Sequence, residues 1–177
     1  LRCKNIKNNY LTSDINEENM SFVYTLSKLL KISEKSFFKA MKSFKGLPHR
    51  FEIFLQRGNT IFINDSKATS FAAAESALRS LQNVYWILGG LPKRNDKLVL
   101  SKIKKNIIKC YLIGKNINFF KKQIKDRIDF SITKNLENSI IKISQDLELQ
   151  TQINKFILLS PGAASFDQFE NFEKRGE

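Results

Sequence analysis

The chain has 177 residues, 42% of them hydrophobic and 15 of them Phe, enough to bury the core of one good-sized domain or of one domain and part of another. No apolar run approaches the roughly 18 residues a membrane-spanning helix needs, no signal peptide is visible, and Cys3 and Cys110 form no CxxC or Cys/His cluster. A disulfide framework and a zinc site are therefore not suggested, and a reducing cytoplasm is the expected setting. The formal charge of +13 invites a nucleic-acid reading, but Lys, Asn and Ile make up about a third of the chain, the usage of an AT-rich genome. Between residues 93 and 127 the cations mostly follow apparent helices, as on a solvated face, so a basic nucleic-acid-binding module stands only as the alternative.

In chain order, residues 1 to 15 read as irregular or edge structure. Met20, Val23, Tyr24, Leu26, Leu29 and Leu30 then recur at helical spacing. A second helix opens at Ser33, carries Phe37, Phe38, Met41 and Phe44, and ends at Gly46-Leu47-Pro48, since Gly suits the position after a helix and Pro cannot continue one. Two helices before this break and strand–helix alternation after it place a domain boundary near residues 45 to 50. Beyond it, "FEIFLQ" and "TIFIND" flank Arg57-Gly58-Asn59, a hairpin signal. The rest reads as helix 69–82, strand 84–90, helix 97–106, strand 107–114, helix 116–125, strand 129–133, helix 135–149, strand 155–162 and a last helix opening near 166. Such alternation predicts an α/β fold, a Rossmann-like doubly wound, mainly parallel sheet with a β-hairpin. Residue 1 is Leu and the final "NFEKRGE" breaks off inside a charged amphipathic helix, so a fragment of a longer protein is expected.

Ligands of such sheets bind beyond the carboxyl ends of the strands. Three polar clusters follow apolar strands here: Asp65-Ser66-Lys67-Ala68-Thr69, Gly89-Gly90-Leu91-Pro92-Lys93 and Ser160 to Ser165. All three are expected on one rim. Thr69 or Ser70 can cap the following helix, and Ser165 with Gln168 forms an S-x-x-Q capping box. Capping explains one hydroxyl at each place. It does not explain Lys67 near a helix start, where the macrodipole disfavours a cation, unless an anion is there to meet it. Gly89-Gly90 and Lys93 taken singly read as a turn and a surface lysine. His49, the chain's one histidine, reads as a turn residue beside Pro48, and Arg50 as a phosphate clamp or an exposed ion-pair partner. Neither G-x-x-x-x-G-K-[ST] nor G-x-G-x-x-G occurs. The residues thus describe a rim for an anionic ligand without a phosphate loop of its own.

"GLPHRFE" (46 to 52), "INDSKAT" (63 to 69), "ILGG" (87 to 90) with Lys93, and "LLSPGAASFDQFENFEKRG" (158 to 176) resemble the Mur ligase family. The resemblance covers about residues 15 to 177. It implies that 1–46 is a two-helix remnant of the central ATPase domain and 47–177 the C-terminal amino-acid-binding domain, cut short in its last helix. It further implies a monomeric, cytoplasmic amide ligase of peptidoglycan synthesis. ATP would phosphorylate UDP-N-acetylmuramoyl-L-alanine, and the amino group of D-glutamate would attack the acyl phosphate. Mg²⁺ would be held by the missing central portion, with no metal ligand in this chain. A ligase for another amino acid is the variant reading. Carried over by position, Asp65 meets the ribose of ATP, Arg50 its phosphates and Asn19 its adenine. Thr69, Lys93 and Ser165 hold D-glutamate, with Phe166 and Phe172 shaping that pocket. Lys67 and His49 are the catalytic positions. Ile15 where the family has His, Ser70 where Asn is common, and "SPGAAS" depart from the family's pattern. The phosphate loop and UDP-binding domain are absent, so the fragment alone is expected to be inactive.

Overall fold

Helical spacing near the start of the chain produces α1 (Asp14–Leu29) and α2 (Glu34–Ser43), which close on a small core of Ile6, Met20 and Phe37 with Tyr24, Phe38 and Met41 against it. The computed structural model describes residues 6, 8–11, 14–148 and 154–177. It divides into two units, Leu1–Leu47 and Pro48–Glu177. Cys3 and most of the stretch expected to be irregular lie outside the described residues; within that stretch Asn9–Leu11 forms a 3-10 turn. Ser33 caps α2 by accepting the Ser36 N–H. Phe22, Leu26 and Leu29 are exposed along α1, and Leu30 just beyond it. Among the described residues no helix is long and apolar enough to cross a membrane.

The second unit is the α/β fold expected. A six-stranded sheet runs β1 (Glu52–Arg57), β2 (Thr60–Asn64), β6 (Lys155–Leu159), β3 (Val84–Gly89), β4 (Ile107–Ile113), β5 (Phe130–Lys134) in spatial order. Within this sheet β1 and β2 pair antiparallel, joined by a two-residue loop in which Gly58 takes φ +53, and the other strand pairings are parallel.

Alternation along the strands divides the core by sheet face. Trp86, Leu88, Cys110, Leu112 and Leu158 face α3 (Phe71–Arg79) and α4 (Ile117–Ile124). Tyr85, Ile87, Tyr111, Ile113 and Ile157 face α5 (Leu136–Glu148) through Ile143. With both faces covered, β3 is buried at every residue, which is why it reads as an unbroken apolar run. Burial also lifts the pKa of the Cys110 thiol, a free and inert core residue.

Two expected elements differ. The helix over 97–106 is instead a pair of 3-10 turns, Leu100–Lys102 and Lys104–Asn106. Its buried residues Leu98, Leu100 and Ile103 do not follow a helical stripe, and Glu75 accepts the Val99 N–H while Asn106 donates to the Leu78 carbonyl. The last helix opens not near 166 but as the short α6 (Phe172–Gly176), capped by Asn171. The expected capping box is not formed. Gln168 spends its side chain on the Lys134 carbonyl, and only backbone bonds from Gln168 and Phe169 return to Ser165.

Candidate functional site

Because β2, β6 and β3 are parallel neighbours, the segments following them leave the sheet on one edge. They are bonded together there. The Asp65 N–H donates to Leu159 O (2.7 Å), Gly162 N–H to Ala68 O (2.9 Å) and Gly89 N–H to Pro161 O (3.0 Å). Leu91 and Ala164 exchange both backbone bonds, at 2.8 and 3.1 Å. Packing alone requires glycine at 89 and 90. Side chains there would overlap the carbonyls of Ile113 and Ala164, at φ values of +146 and +133.

The loop carrying Lys93 is tied to the start of α3. Ser70 accepts the Ala73 N–H as cap, and Asp96, three residues past Lys93, accepts the Phe71 N–H at 3.0 Å. Asp96→Ala is expected to cost about 1 kcal/mol, the size of a lost helix cap. An unchanged urea midpoint would show that Asp96 leaves this helix start to water.

Polar residues at the rim fall into two groups. One is consumed by structure. Asp65, 7% exposed, accepts the Ser160 hydroxyl (2.8 Å) and the Phe51 N–H (3.0 Å). Burial raises its carboxyl to about 6, although those two donors and the charge of Arg50 pull downward. Asn64 accepts from Ser66 N–H, which orients its amide to donate to Gly176 O (2.9 Å) and to His49 Nδ1 (3.0 Å). His49 Nδ1 is thereby an acceptor, and Nε2 carries the ring proton. Backbone bonds hold this stretch as well: Lys67 N–H donates to His49 O and His49 N–H to Glu52 Oε2. They over-determine left-handed conformations at His49 (φ 59) and Phe51 (φ 47) on either side of Arg50. Strain of this kind concentrates at functional sites.

The second group has no structural employment. Among the described residues none hydrogen-bonds or ion-pairs with the side chains of Thr69, Lys93, Ser165 or Arg50. Ser165 is nonetheless 2% exposed. Thr69, Lys93 and Ser165 are brought to one edge by the bonds given above. Lys67 is half-buried, with its ammonium 3.8 Å from the centroid of the Phe172 ring, and the His49 ring meets Phe172 edge-on at 6.4 Å. Phe166 is 68% exposed. Asn19 belongs to the first unit, exposed on α1.

Sequence reasoning missed the supports: Asn64, Ser66, Ser160 and Arg175. Arg175 donates to the Ser66 hydroxyl (3.0 Å), Ser66 O (2.8 Å) and Ala163 O (2.9 Å), and burial lowers its pKa to about 10. It stood inside a quoted motif, but no spacing rule marks a helical Arg as buried.

With this geometry in hand, comparison supplies kinship. No protein-family profile matches the chain. It is 37% identical over 162 residues, 92% of its length, to the UDP-N-acetylmuramoylalanine–D-glutamate ligase of Agrobacterium fabrum. MurF of Acinetobacter baumannii shares the fold at TM-score 0.62 and 14% identity, over 89% of this chain and 36% of that one. MurF of Thermotoga maritima, solved in complex with ADP, does so at TM-score 0.58 and 15% identity, over 92% of this chain and 39% of that one. The Mur-ligase resemblance of the motifs is borne out. The chain spans about a third of the length of the curated relatives it matches.

Proposed function

We propose that this chain, whose Mur-ligase kinship runs through nine-tenths of its length, is the amino-acid-binding part of a cytoplasmic ATP-dependent ligase that adds D-glutamate to UDP-N-acetylmuramoyl-L-alanine. The observation that carries the reading is the division of labour at the rim. The scaffold uses Asn64, Asp65, Ser66, Ser160 and Arg175, and leaves two hydroxyls and a cation, Thr69, Ser165 and Lys93, along one edge without partners among the described residues. Two hydroxyl donors and an ammonium suit the carboxylates of an acidic amino acid.

In this reading Thr69, Ser165 and Lys93 orient D-glutamate so that its amine meets the activated carboxyl carbon, and Phe166 and Phe172 form the pocket walls. Positioning of this kind can supply much of the rate enhancement. Arg50 meets nucleotide phosphates, and Asp65 uses the lone pairs left on its oxygens to accept from ribose hydroxyls. Lys67, poised on the Phe172 ring, neutralises charge where phosphate and amino acid meet, with His49 beside it. Among the described residues no group of three or more His, Cys, Asp or Glu side chains could hold a metal ion.

Lys93→Ala in a full-length ligase carrying this chain tests the reading. The D-glutamate KM is expected to rise tenfold or more with the ATP KM nearly unchanged, because Lys93 would contact only the amino acid. Equal effects on both substrates would refute the assignment.

A further inference from the structure

Arg175 is the least expected charge in the molecule. It is 2% exposed, and no carboxylate among the described residues lies within ion-pair distance of it. A buried cation is costly even with the charge of Asp167 acting on it from beyond ion-pair distance, and an apolar side chain could anchor α6 by packing. What an apolar residue could not do is reach two chain segments at once. Nε and Nη2 hold the hydroxyl and carbonyl of Ser66, while Nη1 holds the carbonyl of Ala163. The Ser66 hydroxyl passes the bond on to Phe172 O, so α6 is tied to the 64–69 segment from both ends. The third segment takes part by omission: a Cβ on Gly90 would sit 3.2 Å from Arg175 Nη1. The guanidinium therefore lies where all three rim segments meet. A planar fork with fixed donor directions sets their separation, which a single ammonium cannot do.

We propose that Arg175 is a positioning residue of the rim, holding segment 64–69 at a fixed spacing from segment 160–165 so that Thr69 and Ser165 present their hydroxyls to one carboxylate. The last clause rests on the D-glutamate reading above; the spacing does not.

The experiment compares the 177-residue chain with Arg175→Lys and Arg175→Met by amide hydrogen exchange and by NMR titration with D-glutamate. Lysine keeps the charge and loses the fork, and it keeps the test open if the Met variant does not fold. In Arg175→Lys, exchange at Gly162, Leu91 and Ala164, whose N–H groups bridge the segments, is expected to accelerate about tenfold or more while Trp86 and Leu112 keep their protection. D-glutamate, which shifts the Thr69 and Ser165 amides of the natural chain, is expected to bind the variant at least about tenfold more weakly. Unchanged exchange at the three bridging amides overturns the proposal. So does acceleration spread evenly over the strands, which would mean a general loss of stability. If D-glutamate fails to bind the natural chain while the local exchange effect appears, the ligand reading falls and the positioning role stands.

Discussion

Gly89→Ala should unfold the second unit at markedly lower urea, with a loss of about 3–5 kcal/mol. Gly89 closes β3, takes φ +146 and pairs with Ile113 on β4, and its N–H donates to Pro161 O. A methyl group would drive into the Ile113 carbonyl and crowd the Ile113 side chain, which is itself fully buried against the α5 face. Neither strand can retreat, because β3 and β4 are enclosed by the two cores and dense interiors transmit such displacement rather than absorb it. Gly58→Ala is the matched comparison. Gly58 is also left-handed, at φ +53, but nothing lies within 4 Å of where its Cβ would be. That substitution is expected to cost only about 1–2 kcal/mol, the intrinsic penalty of a left-handed alanine. Trp86, the chain's one tryptophan, is buried on β3 with its indole N–H on Ser160 O at 2.7 Å, so its fluorescence follows this unit alone. Similar costs for the two glycines would mean that the sheet end yields and that the rim is softer than its bonding implies.

The same sheet end explains what could be read from the sequence. Short apolar runs alternating with helical stripes are dictated by a two-sided core, so β2, β3, β4 and β6 were legible, as was their common rim. The errors fall where side chains bond across the chain instead of along it. "NDKLVLSKIKKN" has the composition of a helix, but Asp96 serves the start of α3 and Val99 gives its N–H to Glu75, so the backbone is held from outside. Ser165 and Gln168 have capping-box spacing, yet Gln168 reaches Lys134 and Asp167 accepts the Lys115 N–H. Local propensity cannot register partners some 20 to 50 positions away. The rim shows the same division. Lys67 and Thr69 stood out by charge and by position before a helix, whereas the strut Arg175 looked like any solvated cation of a terminal helix.

Asp65→Asn is expected to stabilise the second unit at neutral pH while weakening nucleotide binding, two effects of opposite sign from one atom. Burial holds the Asp65 carboxyl at about 6 against an unfolded value of 3.8. A raised carboxyl pKa means the folded chain binds the proton more tightly than the unfolded one. Its contribution is thus fully present below the unfolded pKa and is lost as pH rises through the folded value. A shift of about two units corresponds to something on the order of 3 kcal/mol given up at neutral pH. Asparagine keeps an oxygen for the Phe51 N–H and offers its amide to the Ser160 hydroxyl, so the two bonds survive without the buried charge. Urea unfolding followed by Trp86 between about pH 4 and about pH 8 should show the variant gaining on the natural chain as pH climbs through about 6, then holding a constant lead. Subtracting the two profiles removes the carboxylates common to both, such as Asp146, whose pKa is lowered. Parallel profiles would mean that Asp65 is not the group whose burial costs stability. In the proposed reading that charge serves ribose hydroxyls, donors that an anion accepts better than an amide. A full-length ligase carrying Asp65→Asn should accordingly need about tenfold more ATP with its D-glutamate requirement unchanged. If the variant is stabilised and its ATP requirement does not move, the strain at Asp65 serves the fold's geometry around Phe51 and Ser160, and the ribose must be met elsewhere.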